Sequence, residues 1–248
     1  MKKFEEIIDL ISNELREIID NSDKNKIEKS QKIIFSSLMI STASEITKEI
    51  IKLREQKGRN PTNWIQSCTS TRYLFELLSN HATLRNCDNE DDYWDKFLYL
   101  RKLQVFGNDT YGVSIDILPQ KTREKLTKNN AETYLGWNHG EERIKENLRK
   151  SVKLENEHFQ FSDPWGLTMF DKMKFIKTSN KKVFLSRWRM YSQISHASSF
   201  SIWPMWFDPV PHFDAIHCLS IIYLTEYEYH GKIFDTNLFC KKIYKAIK

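Results

Sequence analysis

The N-terminal segment repeats its apolar residues at intervals of three and four positions, which places them on one face of an α-helix. Between residues 3 and 20 that face consists of Phe4, Ile7, Ile8, Ile11, Leu15, Ile18 and Ile19. The same spacing continues over residues 25–57, whereas the two-residue alternation of half-buried strands is hardly seen in the chain. We therefore expect more than half of the residues to be helical and no sheet, unless one short hairpin forms between 107 and 165.

The scarcity of helix breakers supports the same conclusion, because only 7 glycines and 6 prolines occur in 248 residues. The clearest break is Gly58-Arg59-Asn60-Pro61, which separates an N-terminal helical pair at 1–58 from a helical domain at 59–248. Further helices are expected at 61–85, 91–106, 167–177, 181–199, 212–229 and 234–247, with short helical pieces at 119–128 and 141–150. The sequence thus predicts an all-α helical bundle with long central helices, the two at its centre being 61–85 and 181–199. Residues 107–165 form an irregular middle excursion, and the N-terminal pair packs with the rest as one compact unit.

Several classes of protein are disfavoured by what the sequence lacks. No apolar run reaches the ~18 residues of a membrane span, and the N-terminus turns acidic too early for a signal peptide. The four cysteines form no CxxC pair, so free thiols, a cytoplasmic location and no bound metal are expected. Walker A, GxGxxG, HExxH and GxSxG motifs are absent, and no cofactor is expected. The net charge of +5 is compatible with a nucleic-acid partner without requiring one.

A dense set of polar residues lies on the expected helix 181–199. Arg189 and His196 are seven positions apart, about two turns, and so share a face, with Tyr191, Ser192 and Ser195 between or beside them. Histidine transfers protons near neutral pH, and arginine binds phosphate through a permanent charge. These residue types favour a site that acts on a phosphodiester.

The Arg189-x6-His196 arrangement resembles the Arg-x(4–6)-His signature of the HEPN superfamily, although Met190 stands where that family often has a polar residue. The resemblance implies an all-α fold and a metal-independent ribonuclease of the bacterial defence or toxin type. It also implies that Arg189 and His196 are the catalytic pair, that they meet across a homodimer interface, and that RNA is the target.

A second resemblance is to uncharacterised bacterial helical proteins with Arg-x-x-x-Glu on an early helix and Tyr-x-x-x-Ser-His on a later one. Arg72 and Glu76 match the first motif; Tyr191, Ser195 and His196 match the second; the likeness spans roughly residues 60–230. Arg72 and Glu76 also have the i,i+4 spacing of an ordinary helical ion pair. If the two helices pack side by side, Glu76 could instead orient Arg189 or His196.

Two interpretations of the function stay open. In the first, Arg189 and His196 cleave RNA, supported by Arg72, Glu76, Tyr191, Ser192 and Ser195. In the second, the chain is a non-catalytic helical sensor or partner-binding module, and the same polar residues form a buried structural network. A solvent-open cleft beside His196 favours the first, and burial of His196 favours the second.

Two further features have competing interpretations. The aromatic loop 201–211 could stack nucleotide bases, but it suits better the role of closing one end of the bundle. His212, Asp214 and His217 are spaced poorly for a shared metal ion, and we expect them to mark the start of a helix.

Overall fold

The computed structural model describes residues 3–22, 27–55, 61–86, 152–155, 158–161, 168–178, 180–195 and 210–247. In these ranges it contains seven α-helices: α1 (Lys3–Ser22), α2 (Ile27–Glu55), α3 (Pro61–Asn86), α4 (Met169–Lys172), α5 (Lys181–Ser195), α6 (Pro211–Tyr229) and α7 (Thr236–Ala246). The expected all-α fold is confirmed. The helix expected at 91–106 and the short pieces at 119–128 and 141–150 lie outside the described residues, as do positions 196–199.

The strands of the described ranges form one antiparallel hairpin, β1 (Val152–Glu155) and β2 (His158–Phe161). Val152 pairs with Phe161, and Glu155 pairs with His158. This pair lies between 107 and 165, the one segment in which the sequence left room for a short hairpin. Where a helix was expected at 167–177, α4 is a single turn, followed by a 3-10 turn at Met173–Phe175.

The chain divides into two compact units. The first contains residues 1–86 and 169–248, so the N-terminal and C-terminal helices belong together. The second contains residues 87–168 and includes the β1–β2 hairpin. All the helices labelled here belong to the first unit.

The core of the first unit lies between α2, α3 and α6, with α1 and α5 packed on its outside. In α6, 13 of 19 residues are buried, whereas α5 buries only Phe184, Tyr191 and Ile194 of its 15. The prediction that helices 61–85 and 181–199 form the centre is therefore right for the first and wrong for the second. Helix α3 is central, but its main partner is α6 and not α5. Helix α6 can be central because it carries apolar side chains on most of its circumference, whereas α5 carries cations that must stay near water.

Helix α6 ends in a glycine-dependent turn. Gly231 has a φ of 67°, a conformation that L-residues rarely adopt. Its amide donates to the carbonyl of Glu228 at 3.0 Å, and the amide of Lys232 donates to the carbonyl of Tyr227 at 2.8 Å. These two bonds form a Schellman motif, which terminates the helix and directs the chain into α7.

None of the helices described is long and apolar enough to span a membrane.

Candidate functional site

Arg189 lies on the solvent side of α5. The opposite side packs on α3 through Phe184, Tyr191 and Ile194, and Arg189 is roughly 200° around the helix from Tyr191. Arg189 is exposed, as are Ser186 and Gln193 one turn to either side. Its guanidinium makes no hydrogen bond or ion pair with any residue that the structure describes. The group is therefore available to an external anion.

Tyr191 has a different environment, although it is only two positions away. Its side chain is fully buried, and its hydroxyl donates a 2.5 Å hydrogen bond to the carboxylate of Asp214 in the first turn of α6. Burial, together with the negative charge of Asp214, raises the pKa of Tyr191 far above its ordinary value. Tyr191 is therefore a neutral donor that joins α5 to α6, and the structure does not bring it together with Arg189.

The two serines are placed beside this link. The Ser195 hydroxyl donates to the carbonyl of Tyr191 at 2.8 Å and lies 3.5 Å from the hydroxyl of Thr69 on α3. A serine bonded to the carbonyl four residues earlier is a common helix arrangement. Ser192 is half-buried. The Ser195 hydroxyl therefore bonds a carbonyl of the last turn of α5 and lies beside α3.

Arg72 and Glu76 form the i,i+4 ion pair that their spacing allows. The Arg72 Nε lies 3.0 Å from the Glu76 Oε1, and the two side chains are 25% and 39% exposed. Within the described residues Glu76 forms its ion pair with Arg72 and none with Arg189. The pair stabilises α3 by the few tenths of a kcal/mol typical of such surface pairs, about 0.3–0.5 kcal/mol.

His196 and residues 201–209 of the aromatic loop lie outside the described residues. The pairing of Arg189 with His196 and the role of the loop therefore stay predictions.

Asp214 is the centre of a small polar cluster between α3, α5 and α6. Burial raises the pKa of its carboxyl group, while the Tyr191 hydrogen bond and the charges of Arg187 and His217 oppose that rise. The Arg187 Nε lies 3.9 Å from the carboxylate. The buried thiol of Cys68 is close enough that burial and Asp214 together raise its pKa. Asp214 is thus committed to Tyr191, and the described residues contain no group of three or more His, Cys, Asp or Glu side chains arranged to hold a metal ion.

Sequence reasoning missed a second polar cluster, which is centred on Glu226 of α6. Glu226 is fully buried, and both of its carboxylate oxygens accept hydrogen bonds from Arg85 of α3, at 3.0 and 2.7 Å. The Nε2 of His81 lies 2.7 Å from the same carboxylate, and the Nε2 of His230 lies 3.1 Å from it. Arg85 also donates to the hydroxyl of Ser36 on α2, at 2.6 Å. The cluster therefore joins three helices through one buried carboxylate.

The positive charge and the hydrogen-bond donors around Glu226 stabilise its ionised carboxylate. Burial alone would raise the pKa of Glu226, but the hydrogen bonds from His230 and His81 and the charge of Arg85 outweigh it and hold that pKa well below its ordinary value. The buried Nδ1 of His81 has no hydrogen-bond partner. Because a carboxylate can only accept, the Nε2 of His81 carries the proton of its bond to Glu226. The Glu226 cluster is enclosed, and its role is to hold the helices together.

Comparison with known proteins adds no relative: no protein-family model matches the chain, and no curated protein or solved structure matches it either.

Proposed function

We propose that this chain is a HEPN-like ribonuclease of the bacterial defence or toxin type, in which Arg189 and His196 act without a metal ion. The observation that supports it best is the position of Arg189. It is an exposed guanidinium that no described residue neutralises, on a helix whose opposite face is anchored by the Tyr191–Asp214 hydrogen bond. A permanent, unpaired cation is the group that phosphodiester cleavage needs at the reacting phosphate.

The proposed chemistry is a transesterification within the RNA strand. His196 accepts the proton of a 2′-hydroxyl, whose oxygen attacks the adjacent phosphorus, and the 5′-oxygen leaves with a proton returned by an acid. In a homodimer, the two copies of His196 can take the base and the acid roles. Arg189 binds the non-bridging oxygens, where negative charge grows in the transition state. Asp214 acts only through Tyr191 and is a positioning residue.

The test compares RNA cleavage and thermal unfolding in wild type, Arg189→Ala and His196→Ala. Arg16→Ala is a matched control, because Arg16 is an exposed arginine of α1 whose guanidinium donates to the side-chain oxygen of Asn13, three residues earlier. Each of the first two variants should lose roughly 10²–10³ in cleavage rate. Arg189→Ala should have the same melting temperature as wild type, and Arg16→Ala should keep full activity. If the wild type is toxic to cells, Arg189→Ala and His196→Ala should lose that toxicity and Arg16→Ala should keep it.

A non-catalytic sensor or partner-binding module is the second candidate. It is supported by the complete burial of Tyr191, one member of that polar set. On this interpretation the wild type cleaves no RNA, and His196→Ala loses about 1–3 kcal/mol of stability because buried partners are left unsatisfied. That combination of results would replace the ribonuclease proposal.

A further inference from the structure

One segment of the chain carries a clear excess of positive charge. Residues 169–195, which contain α4 and α5, hold seven lysines and arginines against the single Asp171, a net charge of +6. The whole chain carries +5, so the other residues together carry −1. Helix α1, in contrast, has six acidic and two basic residues. The charge is therefore unevenly distributed along the chain, with a second basic segment at 236–248 that holds four lysines and no acidic residue.

Part of this charge is already neutralised or occupied. Lys172 is buried and donates to the side-chain oxygen of Asn80, and Lys177 forms an ion pair with Glu228. Arg187 lies 3.9 Å from the carboxylate of Asp214. The other four cations are all exposed: Lys174, Lys181, Lys182 and Arg189. None of these four has a carboxylate partner in the part of the chain that the structure describes.

The four exposed cations follow the surface of α5. The Lys181 Nζ donates to the carbonyl of Lys174 at 3.3 Å, which holds its ammonium close to the turn before the helix. Lys182 and Arg189 are seven positions apart and share one face, separated by about 10 Å along the axis. Like charges held in such a row repel one another, and a bound polyanion removes that repulsion. The row ends at Arg189.

We propose that Lys174, Lys181, Lys182 and Arg189 form a track that binds the phosphate backbone of single-stranded RNA. The proposal rests on the proposed function only for the choice of RNA, which would run along α5 toward Arg189. Phe170, 69% exposed in the same segment, offers a ring on which a base can stack. A membrane surface fits less well, because only Phe170 and Val183 are exposed large apolar residues of this segment, too few for an inserted face.

The test is the salt dependence of binding to a fluorescent single-stranded oligonucleotide with 2′-O-methyl groups, which blocks cleavage. For single strands, the slope of log K against log salt falls by about 0.7 for each phosphate contact. Lys181→Ala/Lys182→Ala should therefore make this negative slope shallower by about 1.4 and weaken binding roughly tenfold at low salt, equally for unrelated sequences. Lys241→Ala/Lys242→Ala on α7 is the matched control, since both of its lysines are exposed and adjacent. It should change the slope little.

Two results would overturn the track. Equal losses in the two double variants would mean that only the total charge matters. Preferential binding to phosphatidylserine vesicles over the oligonucleotide, lost in Lys181→Ala/Lys182→Ala, would assign the surface to a membrane. The ribonuclease proposal fails separately: if RNA stays intact while Lys181→Ala/Lys182→Ala still reduces the slope, the track stands and the catalytic pair does not.

Discussion

Arg85 of α3 donates to both carboxylate oxygens of Glu226 of α6, and the two side chains are 4% and 0% exposed. Such a bidentate pair has a fixed geometry, which sets the register of the two central helices relative to each other. A buried charge is tolerated only while its partner is present. The pair is therefore a point at which a single substitution has a large effect on stability.

Replacing Glu226 by glutamine should lower the free energy of unfolding by about 3–5 kcal/mol, because the buried guanidinium of Arg85 loses its counter-charge. The matched control is Glu76→Gln, which breaks another Arg–Glu pair, one that is 25% and 39% exposed. That control should change stability by no more than about 0.5 kcal/mol. Urea unfolding monitored by circular dichroism measures both values. Similar losses in the two variants would show that the burial of Glu226 does not govern the effect.

Asp214 gives a pH dependence whose sign follows from its raised pKa. Between the ordinary aspartate value of about 3.9 and the higher folded value, the unfolded chain has lost the proton that the folded chain keeps. Stability therefore falls as pH rises through this window and is lowest, on this account, above the folded pKa. Glu226 acts in the opposite sense, because its pKa is lowered, and its contribution is lost as the solution becomes acidic.

Asp214→Asn isolates the first effect. The amide oxygen can still accept the hydrogen bond of Tyr191, but the site no longer holds a buried charge. The variant should gain stability relative to wild type as pH rises from about 4 to about 7. Urea titrations at several pH values measure this difference. A stability difference that is independent of pH would contradict the raised pKa.

The helices were predictable because their signal is local. Residues 3–20, 61–85 and 212–229 match α1, α3 and α6 to within two positions, since apolar spacing and the Gly58–Pro61 break act over short distances. Which helices lie at the centre of the bundle and which lie on its outside was not predictable in the same way. The apolar positions of residues 181–199 resembled those of a central helix, and only the packing shows that α5 lies outside.

The polar partners were not predictable because they are distant in sequence. Glu226 lies 145 positions from His81 and 141 from Arg85, and no spacing rule connects them. One signal was available: Glu226 lies one turn after the apolar Ile222 and Tyr223 and so on the same face of α6, and a charged residue on an apolar face needs a partner. In the same way, the sequence placed Tyr191 near Arg189, whereas helical rotation sends the two side chains to opposite faces.

Cysteine reactivity should follow burial. Cys68 and Cys218 are fully buried, and burial raises the pKa of each thiol above its ordinary value. Since the thiolate is the reactive form, native protein should alkylate these two residues far more slowly than urea-unfolded protein. Mass-spectrometric mapping of iodoacetamide adducts measures this. Titration of denatured, unreduced protein should find all four cysteines as thiols, and a lower count would contradict the expectation.

Tyr191→Phe and Arg189→Ala should separate a packing role from a surface role within one helix. Tyr191→Phe keeps the buried ring but removes the donor of the hydrogen bond to Asp214, which leaves a partly buried carboxylate without that bond. The expected loss is about 1–3 kcal/mol in the free energy of unfolding. It should be much smaller in an Asp214→Asn background, because an amide is less costly than a carboxylate to leave without a donor.

Arg189→Ala, by contrast, removes an exposed side chain that contacts no charged partner among the described residues, and alanine is a good helix former. Its unfolding free energy should stay within about 0.5 kcal/mol of wild type. The four proteins of the cycle (wild type, Tyr191→Phe, Asp214→Asn and the double variant) are compared by urea unfolding beside Arg189→Ala. If Arg189→Ala proves as destabilising as Tyr191→Phe, its guanidinium has a structural partner, and its availability to an external phosphate is lost with that result.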